Sequence, residues 1–291
     1  MSVYILPFEK MHGLGNDFIL MHNKYLPPKI TEQELAKRLC DRHFGVGADG
    51  LIVVHPPSEG GDLAWNYINS DGSLGEMCGN GMRCFAKFVF DRNLVPKNEF
   101  ANSFKVETLA GIIEPTVLEG GQVKVNMGAP ILDAASIPVK LTAETPIIDH
   151  PIQILDKNFT FTPVSMGNPH SIVFLSSQAE LDNFELTKYG PVVEAHQYFP
   201  QKINAEFAFV RSRNYIDLKV WERGCGITLA CGTGACATVV AANLKGLVGD
   251  GPVTVKLPGG ELVIEWDKTQ NIVWMTGPAQ TVFIGQIELD I

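Results

Sequence analysis

The sequence predicts an α+β fold built from two similar halves, each a mostly antiparallel sheet with few helices. Three observations lead to this prediction. Short motifs recur at a nearly constant offset, strand-like runs dominate the chain, and a helical segment follows each copy of one motif. Sheet-rich halves with few helices are the α+β pattern, and recurrence at a fixed offset indicates a duplication.

The recurring motifs keep the same order and nearly the same spacing. A Gly-Asn pair, a Cys-Gly pair and a Met-Gly segment each return after about 150 residues. The copies are Gly15-Asn16 with Gly167-Asn168, Cys78-Gly79 with Cys231-Gly232, and Met127-Gly128 with Met275-Thr276-Gly277. Such pairs are also common in turns, but shared order and spacing favour a duplication. We expect an N-terminal half of 1–128 plus 278–291 and a C-terminal half of 129–277.

Strand-like runs account for most of the predicted secondary structure. They are rich in β-branched residues or alternate apolar with polar residues, and Gly-Gly pairs that favour turns separate some of them. The runs are 51–54, 105–107, 123–126, 208–210, 216–220, 253–257, 262–266 and 272–275.

One amphipathic helix is predicted in each half. Thr31-Glu32-Gln33-Glu34 has the pattern of a capping box, and Leu35 follows it on the apolar face. We expect this helix to stop at Gly45. The counterpart is expected to begin near Pro191, a residue that suits the first turn, and to run to His196.

Two more helical segments follow the Cys-Gly pairs. The segments 82–90 and 235–247 carry apolar residues at helical spacing. Neither has a polar face of normal width. They therefore predict a buried central helix in each half.

Composition and charge exclude several classes of protein. Apolar residues make up 45% of the 291 residues and charged residues 19%, so a packed core is expected. The formal net charge of −9 argues against a nucleic-acid or anionic-membrane partner. No apolar run reaches about 18 residues, and the N-terminus lacks the pattern of a secretory signal. We therefore expect a cytoplasmic protein without a membrane partner.

Cys78 and Cys231 occupy matching places at the entrances to the two central helices. A helix start offers unpaired N–H groups and partial positive charge, which lower the pKa of a thiol. The glycines that follow let the backbone approach a carboxylate closely. Two opposed thiols can remove a proton from one face of a carbon and return one to the other face, which inverts its configuration. The helix ends would stabilise the enediolate-like charge that develops.

Other interpretations of the cysteines stay open. Core packing explains Cys84 and Cys236, which lie inside the helices, and it also suits Cys40. For Cys78 and Cys231 the alternatives are core packing, zinc binding or a disulfide bond. A helical turn would point each pair of cysteines apart, which disfavours zinc, and a reducing compartment disfavours a disulfide.

At these residues the sequence strongly resembles the diaminopimelate epimerase family, whose members are cofactor-independent isomerases. The resemblance runs in family order from residue 10 to residue 279, nearly the whole chain. The matching segments are Lys10-Met11-His12-Gly13-Leu14-Gly15-Asn16-Asp17-Phe18, Asn69-Ser70-Asp71-Gly72-Ser73, Cys78-Gly79-Asn80-Gly81-Met82-Arg83-Cys84, Ser165-Met166-Gly167-Asn168-Pro169-His170, Val220-Trp221-Glu222-Arg223-Gly224 and Leu229-Ala230-Cys231-Gly232-Thr233-Gly234-Ala235-Cys236-Ala237.

The resemblance implies a fold, a reaction and partners. Each half would be a barrel-like sheet around its central helix, with the active site in the cleft between the halves. The reaction would interconvert LL- and meso-diaminopimelate in lysine and peptidoglycan precursor synthesis. The substrate would be a small molecule, and neither a cofactor nor a metal would take part. A homodimer is implied as well.

The resemblance also implies the site residues. Cys78 would donate the proton and Cys231 would accept it, with His170 and Glu222 tuning the two thiols. The substrate-binding residues would be Asn16, Asn69, Gly79, Asn80, Asn168, Asn204, Glu222, Arg223, Gly232 and Thr233. Their chemistry agrees with these roles. Glu222 and Arg223 offer both charges to a second amino-acid group, and Asn offers a donor and an acceptor without net charge.

The chain departs from the family pattern at two places. Gly50 stands where some members carry a Gln that contacts the substrate. Cys225 and Ile227 stand where many members have a small residue and a Glu. Neither departure alters the proposed acid–base pair.

Three other functions fit part of the pattern. A proline or hydroxyproline racemase of the same fold would resemble the cysteine motifs but typically carries Cys-Gly-His rather than Cys78-Gly79-Asn80. A phenazine-synthesis isomerase shares the fold but lacks the cysteine pair. A non-catalytic amino-acid-binding protein could use the Asn residues, but two thiols at helix starts would have no purpose.

Overall fold

The structure is a computed structural model that describes residues 3–75, 77–95, 102–141 and 144–290. In these ranges the α-helices are α1 Glu32–Cys40, α2 Gly79–Asp91, α3 Gln178–Asp182, α4 Leu186–Glu194 and α5 Gly232–Leu244. The strands are β1 Val3–Gly13, β2 Asn16–His22, β3 Gly50–His55, β4 Leu63–Asn69, β5 Val106–Thr108, β6 Gly111–Ile113, β7 Thr116–Val117, β8 Gln122–Asn126, β9 His150–Ile154, β10 Lys157–Ser165, β11 Pro169–Phe174, β12 Asn204–Ser212, β13 Tyr215–Glu222, β14 Gly226–Ile227, β15 Val253–Leu257, β16 Gly260–Asp267, β17 Ile272–Pro278 and β18 Gln280–Asp290. None of the described helices is long and apolar enough to cross a membrane.

The chain divides into two compact units. The first unit comprises residues 1–125 and 277–291, and the second comprises residues 126–276. In the first unit the strand order is β18-β1-β2-β3-β4-β5-β6. The C-terminal strand β18 runs antiparallel along β1 from the Val3–Asp290 pair to the His12–Gln280 pair. The two end strands of this sheet are β18 and β6. The described strands therefore form an open sheet, which corrects the expectation of a barrel-like sheet.

The second unit repeats the connections of the first. Its strand order is β17-β16-β15-β13-β12-β11-β10-β9, with β14 beside β13. Along β1 to β6 the successive pairs are antiparallel, parallel, antiparallel, parallel and antiparallel. Along β10, β11, β12, β13, β15 and β16 the same alternation recurs. The α+β fold with pseudo-symmetric halves is therefore confirmed, because a shared pairing pattern over six strands requires a shared chain path.

The predicted strand runs are confirmed, and several strands were missed. Each of the eight predicted runs lies within or overlaps a strand. The hairpins β1–β2 and β10–β11 were not predicted, although each carries one of the Gly-Asn motifs in its turn. In the first hairpin the polar residues Glu9 and Lys10 interrupt the apolar pattern, yet both are buried. Their burial depends on ion pairs that a local pattern cannot show.

Helix α1 shows the predicted start and a different end. Thr31 and Glu34 form the capping box, and Leu35 is fully buried. The helix ends at Cys40, five residues before the predicted stop at Gly45. A Cβ atom at Gly45 would clash with the carbonyl oxygen of Arg38. The glycine therefore lets the chain fold back across the helix end, which is a different role from terminating the helix.

Helix α4 corrects the prediction for the second half. It begins at Leu186 and ends at Glu194, so Pro191 lies inside the helix and the predicted start there is wrong. Proline at this position removes one backbone hydrogen bond. The helix forms nonetheless because Leu186, Tyr189 and Val193 pack into the core of the second unit.

The two central helices are confirmed as buried. Helix α2 packs on β1 and β2, and helix α5 packs on β10 to β12, β15 and β16. Both begin three residues before the predicted segments, at Gly79 and Gly232. The difference arises because glycine has a low helix propensity, whereas the cap that precedes each glycine starts the helix.

Candidate active site

Cys78 and Cys231 are the N-cap residues of α2 and α5. Each has an extended backbone, and each Sγ accepts a hydrogen bond from the backbone N–H three residues later. The distances are 3.4 Å from Gly81 N to Cys78 Sγ and 3.4 Å from Gly234 N to Cys231 Sγ. The prediction that both thiols stand at helix starts is confirmed. Sulfur is a weak acceptor, so these caps place a thiol at the positive helix end more than they stabilise the helix.

Asn16 contacts the start of α2 from the β1–β2 hairpin. Its Oδ1 accepts hydrogen bonds from Cys78 Sγ at 3.7 Å and from Asn80 Nδ2 at 3.2 Å. Its Nδ2 donates to Asp49 Oδ2 at 2.6 Å. These contacts together set the amide orientation, with oxygen toward the thiol and nitrogen toward the carboxylate. The proton of the Cys78 thiol thus has an acceptor.

Asp49 is a site residue that sequence reasoning missed, and Arg42 holds it. Arg42 donates to Asp49 Oδ1 at 2.8 Å and to both oxygens of Asp17, at 2.8 and 3.2 Å. Burial opposes ionisation of Asp17, but hydrogen bonds from Arg42 and Lys10 outweigh it and lower the pKa of Asp17 to about 2. The only sequence signal was the position of Asp49 immediately before Gly50. The two carboxylates acquire a role only when β2 and β3 lie side by side.

Asn69 lies directly across the sheet from Gly50. Its Oδ1 accepts from the Tyr67 hydroxyl at 2.7 Å, and its Nδ2 donates to Ser73 Oγ at 2.9 Å. Burial, followed by the nearby charge of Cys78, raises the pKa of Tyr67. Tyr67 therefore lies close enough to the thiol for electrostatic influence, and it holds the side chain of Asn69.

His170, the predicted tuning residue, is fully buried on β11. Its Nδ1 lies 2.7 Å from Glu206 Oε1, and its Nε2 lies 3.0 Å from Asn168 Oδ1. The three side chains form a line from the β10–β11 hairpin to β12. Glu206 was not predicted as a site residue, because a lone Glu in an apolar run resembles an ordinary outward-facing strand position.

The surroundings of Cys231 are buried and acidic. Thr233 Oγ1 lies 3.5 Å from its Sγ, and Glu222 Oε1 accepts from Thr228 Oγ1 at 2.5 Å. Burial raises the pKa of Cys231 well above its usual value, and the neighbouring carboxyl groups of Glu222 and Glu206 add to the rise. The hydrogen bond from Gly234 N at the helix start lowers the pKa of Cys231, as expected, but the pKa is raised overall. Desolvation and two carboxyl groups outweigh the partial charge of the helix end.

Asn204 connects the start of β12 to the Glu222-Arg223 turn. Its Nδ2 donates to Pro169 O at 2.8 Å, and its Oδ1 accepts from Arg223 N at 2.8 Å. The amide nitrogen of Asn204 carries two hydrogens, and one of them is donated to Pro169 O. The Arg223 side chain is exposed and donates to Gln201 O at 3.1 Å. Asn204 therefore shapes the turn that presents Arg223.

The structure thus gathers the predicted residues into one group in each unit. The first group is Asn16, Asn69, Cys78, Gly79 and Asn80. The second group is Asn168, His170, Asn204, Glu222, Arg223, Cys231, Gly232 and Thr233. Each group combines a thiol at a helix start with neutral amides, which suits a zwitterionic carboxylate ligand. Within the described ranges, no three His, Cys, Asp or Glu side chains gather as ligands for a metal ion.

Comparison with solved structures shows the class of fold. A hydroxyproline epimerase from Agrobacterium vitis, crystallised with trans-4-hydroxy-L-proline, superposes with a TM-score of 0.66 at 15% sequence identity. The match covers 99% of this chain and 93% of that one. The chain therefore has the same fold as that epimerase.

Comparison of sequences shows the family. The sequence model of the diaminopimelate epimerase family matches residues 8–132 and 162–282. A diaminopimelate epimerase from Synechocystis is 49% identical over 98% of this chain and 99% of its own length. Another from Acetivibrio thermocellus is 49% identical over 97% of this chain and 99% of its own length. The chain belongs to the diaminopimelate epimerase family, and it is an isomerase that acts on a small molecule. The resemblance predicted from the motifs is confirmed, and the non-catalytic alternative is excluded.

Proposed function

We propose that this protein interconverts LL- and meso-diaminopimelate by moving the α-proton between Cys78 and Cys231, without a cofactor or a metal. The observation that carries the proposal is the equivalence of the two thiols. Each caps a buried helix, and each accepts an N–H from a glycine at 3.4 Å. Membership of the family supports diaminopimelate as the substrate.

The chemistry needs two groups that can each carry a proton and a place for a carboxylate. Loss of the α-proton shifts negative charge onto the adjoining carboxylate, which becomes enediolate-like. Backbone N–H groups at a helix start stabilise such charge where it develops. Both Cys-Gly segments offer this feature, and the glycines keep side chains away from the N–H groups.

The two thiols would take different roles in the LL-to-meso direction. Cys78 donates its S–H to Asn16 Oδ1, which suits a proton donor. Cys231 would accept the substrate proton as a thiolate. Its raised pKa means that the thiolate must be stabilised when substrate binds. The α-ammonium group of the substrate brings a positive charge that can do so. The roles reverse in the meso-to-LL direction.

The distal amino-acid end of the substrate would be recognised in the second unit. It carries an ammonium and a carboxylate, and Glu222 and Arg223 offer the complementary charges side by side. The hydrogen bond from Arg223 N to Asn204 holds this pair in place. A proline-type substrate has no second amino-acid group to use the pair.

The proposal is tested by incubating the reduced protein with LL-diaminopimelate in deuterated water. The stereoisomer ratio and the α-deuterium content would be followed together. Wild type should form meso product that contains solvent deuterium. Cys78→Ser and Cys231→Ser should each abolish epimerisation, whereas Cys225→Ser, at an exposed thiol, should retain it. If wild type neither epimerises nor exchanges the α-proton, diaminopimelate is the wrong substrate, and racemisation of proline and hydroxyproline would be measured next.

We also propose a homodimer that forms through the outer face of β1 and β18. Val3, Ile5, Val282 and Ile284 are each more than half exposed there, at 59, 58, 56 and 64%. Because β18 is the last strand of its sheet, a second copy could cover this apolar face. Sedimentation velocity should show a dimer for wild type and a monomer for Ile284→Lys. A monomeric wild type would contradict the proposal.

The proposed reaction also suggests where the protein works. Interconversion of diaminopimelate isomers serves lysine and peptidoglycan precursor synthesis. Its two thiols must stay reduced, which the cytoplasm ensures. Growth of a lysine-requiring, epimerase-deficient bacterial strain should be restored by the wild-type chain and not by Cys78→Ser. Failure of wild type to restore growth would contradict this placement.

A further inference from the structure

Glu206 is a buried carboxyl group at the centre of the second unit. Its side chain is fully buried on β12, and its Oε2 has no hydrogen-bond partner among the described residues. Burying a carboxyl group is costly unless it is paired. Its contacts must therefore account for its presence.

The contacts of Glu206 define a single shared proton. Asn168 Oδ1 can only accept, so His170 Nε2 carries a hydrogen and donates it. His170 Nδ1 and Glu206 Oε1, 2.7 Å apart, are then joined by one further proton. With the proton on either atom, the pair has no net charge, which permits its burial. Burial raises the pKa of Glu206, and the contact with His170 opposes that rise.

Glu206 also lies against the start of α5. A Cβ atom at Gly234 would lie 2.8 Å from Glu206 Oε1 and 3.2 Å from Cys231 Sγ. The carboxyl group and the thiol therefore flank the same backbone atom. The Glu206 side chain is one of the walls of the Cys231 site.

The first unit shows what the same backbone carries without this pair. Phe18 pairs with Gly50 across β2 and β3, just as His170 pairs with Asn204 across β11 and β12. Ile52 lies two residues after Gly50 on β3, and Glu206 lies two residues after Asn204 on β12.

The contacts at the helix starts agree with this equivalence. A Cβ atom at Gly81 would meet Ile52 Cδ1 at 3.2 Å, in the place where one at Gly234 would meet Glu206. Phe18 and Ile52 thus replace His170 and Glu206, so the fold does not require the polar pair.

We propose that Glu206 is a positioning residue for the Cys231 half of the reaction, acting through His170 to hold Asn168 and placing a carboxyl group beside Gly234 where the equivalent Gly81 has Ile52. This inference rests on the proposed function. It explains why two thiols on equivalent backbones would not be interchangeable. The carboxyl group itself does not contact the substrate in this proposal.

The decisive variant gives the second unit the two side chains that stand at the equivalent positions of the first unit. His170→Phe with Glu206→Ile restores the apolar pair that the equivalent backbone already accepts, so the protein should fold. Asp217→Asn is the matched control, because Asp217 is a buried carboxylate on β13 that pairs with Arg211. Exchange of the α-proton for deuterium without inversion would be measured for the LL isomer in a Cys78→Ser background, where Cys231 acts alone, and for the meso isomer in a Cys231→Ser background, where Cys78 acts alone. The double replacement should lower uptake into the LL isomer at least tenfold more than uptake into the meso isomer.

A second measurement does not depend on activity. Nitrogen NMR of histidine-labelled protein should show His170 with hydrogen on Nε2 in wild type. Glu206→Gln can still donate a hydrogen bond to Nδ1, so it should keep that tautomer and most of the activity. Equal loss of uptake from both isomers, no loss at all, or a His170 without hydrogen on Nε2 would each overturn the inference. A wild-type protein that fails to epimerise would instead overturn the proposed function, leaving the NMR result to judge Glu206.

Discussion

Asn16 Nδ2 donates to Asp49 Oδ2 across 2.6 Å, and this contact turns the amide oxygen of Asn16 toward Cys78. Asp49 is fixed in turn by Arg42, whose guanidinium also binds Asp17. A chain of polar contacts therefore runs from a half-exposed arginine to a thiol at a helix start. The orientation of one predicted substrate-binding residue depends on a carboxylate that no motif assigned.

Replacement of Asp49 by Asn should impair activity more than stability. An Asn side chain can turn its own amide hydrogens toward Asn16, which would let the Asn16 amide reverse. We expect kcat/KM to fall about tenfold, equivalent to about 1.4 kcal/mol of transition-state stabilisation. Steady-state kinetics would measure this, with Asp267→Asn as the control because Asp267 caps a turn at Thr269 and Gln270 in the second unit. Unchanged kinetics for Asp49→Asn would contradict the positioning role.

Gly50 should tolerate no side chain while Tyr67 is present. A Cβ atom at Gly50 would lie 2.7 Å from Tyr67 Cε2 and 2.8 Å from Ile68 O. Gly50→Ala should therefore lower the free energy of unfolding by about 1–3 kcal/mol. Tyr67 fills the space next to Gly50, and its hydroxyl binds Asn69.

The separate role of the Tyr67 hydroxyl can be measured without overpacking. Tyr67→Phe keeps the ring and removes only the donor to Asn69 Oδ1. We expect KM for diaminopimelate to rise several-fold, while urea unfolding shows a loss of about 1 kcal/mol. A KM equal to that of wild type would show that Asn69 needs no support from Tyr67.

The glycines three residues after the two cysteines should differ in sensitivity. Gly234→Ala would place a Cβ atom 2.8 Å from Glu206 Oε1, whereas the nearest atom to a Cβ at Gly81 would be Ile52 Cδ1, at 3.2 Å. We expect Gly234→Ala to cost about 1–3 kcal/mol and to lower activity strongly, with a milder effect for Gly81→Ala. Gly249→Ala is the control, since its nearest neighbour would be 3.8 Å away. Equal effects at Gly81 and Gly234 would contradict this reasoning.

The reactivity of Cys231 should respond to the charge of Glu222. Burial is the main cause of the raised pKa of Cys231, and the negative charge of Glu222 is the next. Glu222→Gln removes that charge, so the thiolate becomes less unfavourable and the pKa falls. The rate of Cys231 alkylation, followed against pH by mass spectrometry, should rise at a lower pH in the variant. A shift toward higher pH would show that Glu222 stabilises the thiolate.

Local pattern determined much of this protein. The duplication, the central helices and the thiols at their starts could be predicted because a repeat, helical spacing and a Cys-Gly-x-Gly cap are properties of neighbouring residues. The family motifs led to the site residues for the same reason. The sequence did not predict that α4 starts at Leu186, because packing into the core stabilises the helix around Pro191. It did not predict that α1 ends at Cys40, because the chain folds back across the end of the helix at Gly45.

Only the tertiary structure decided how the site is supported. Asp49, Tyr67 and Glu206 carry no motif, and each acquires a role when adjacent strands set it beside Asn16, Asn69 or His170. The raised pKa of Cys231 likewise follows from burial and from carboxyl groups brought close by the fold. Sequence determines which chemical groups are available, whereas desolvation and the distance between strands determine their ionisation and orientation.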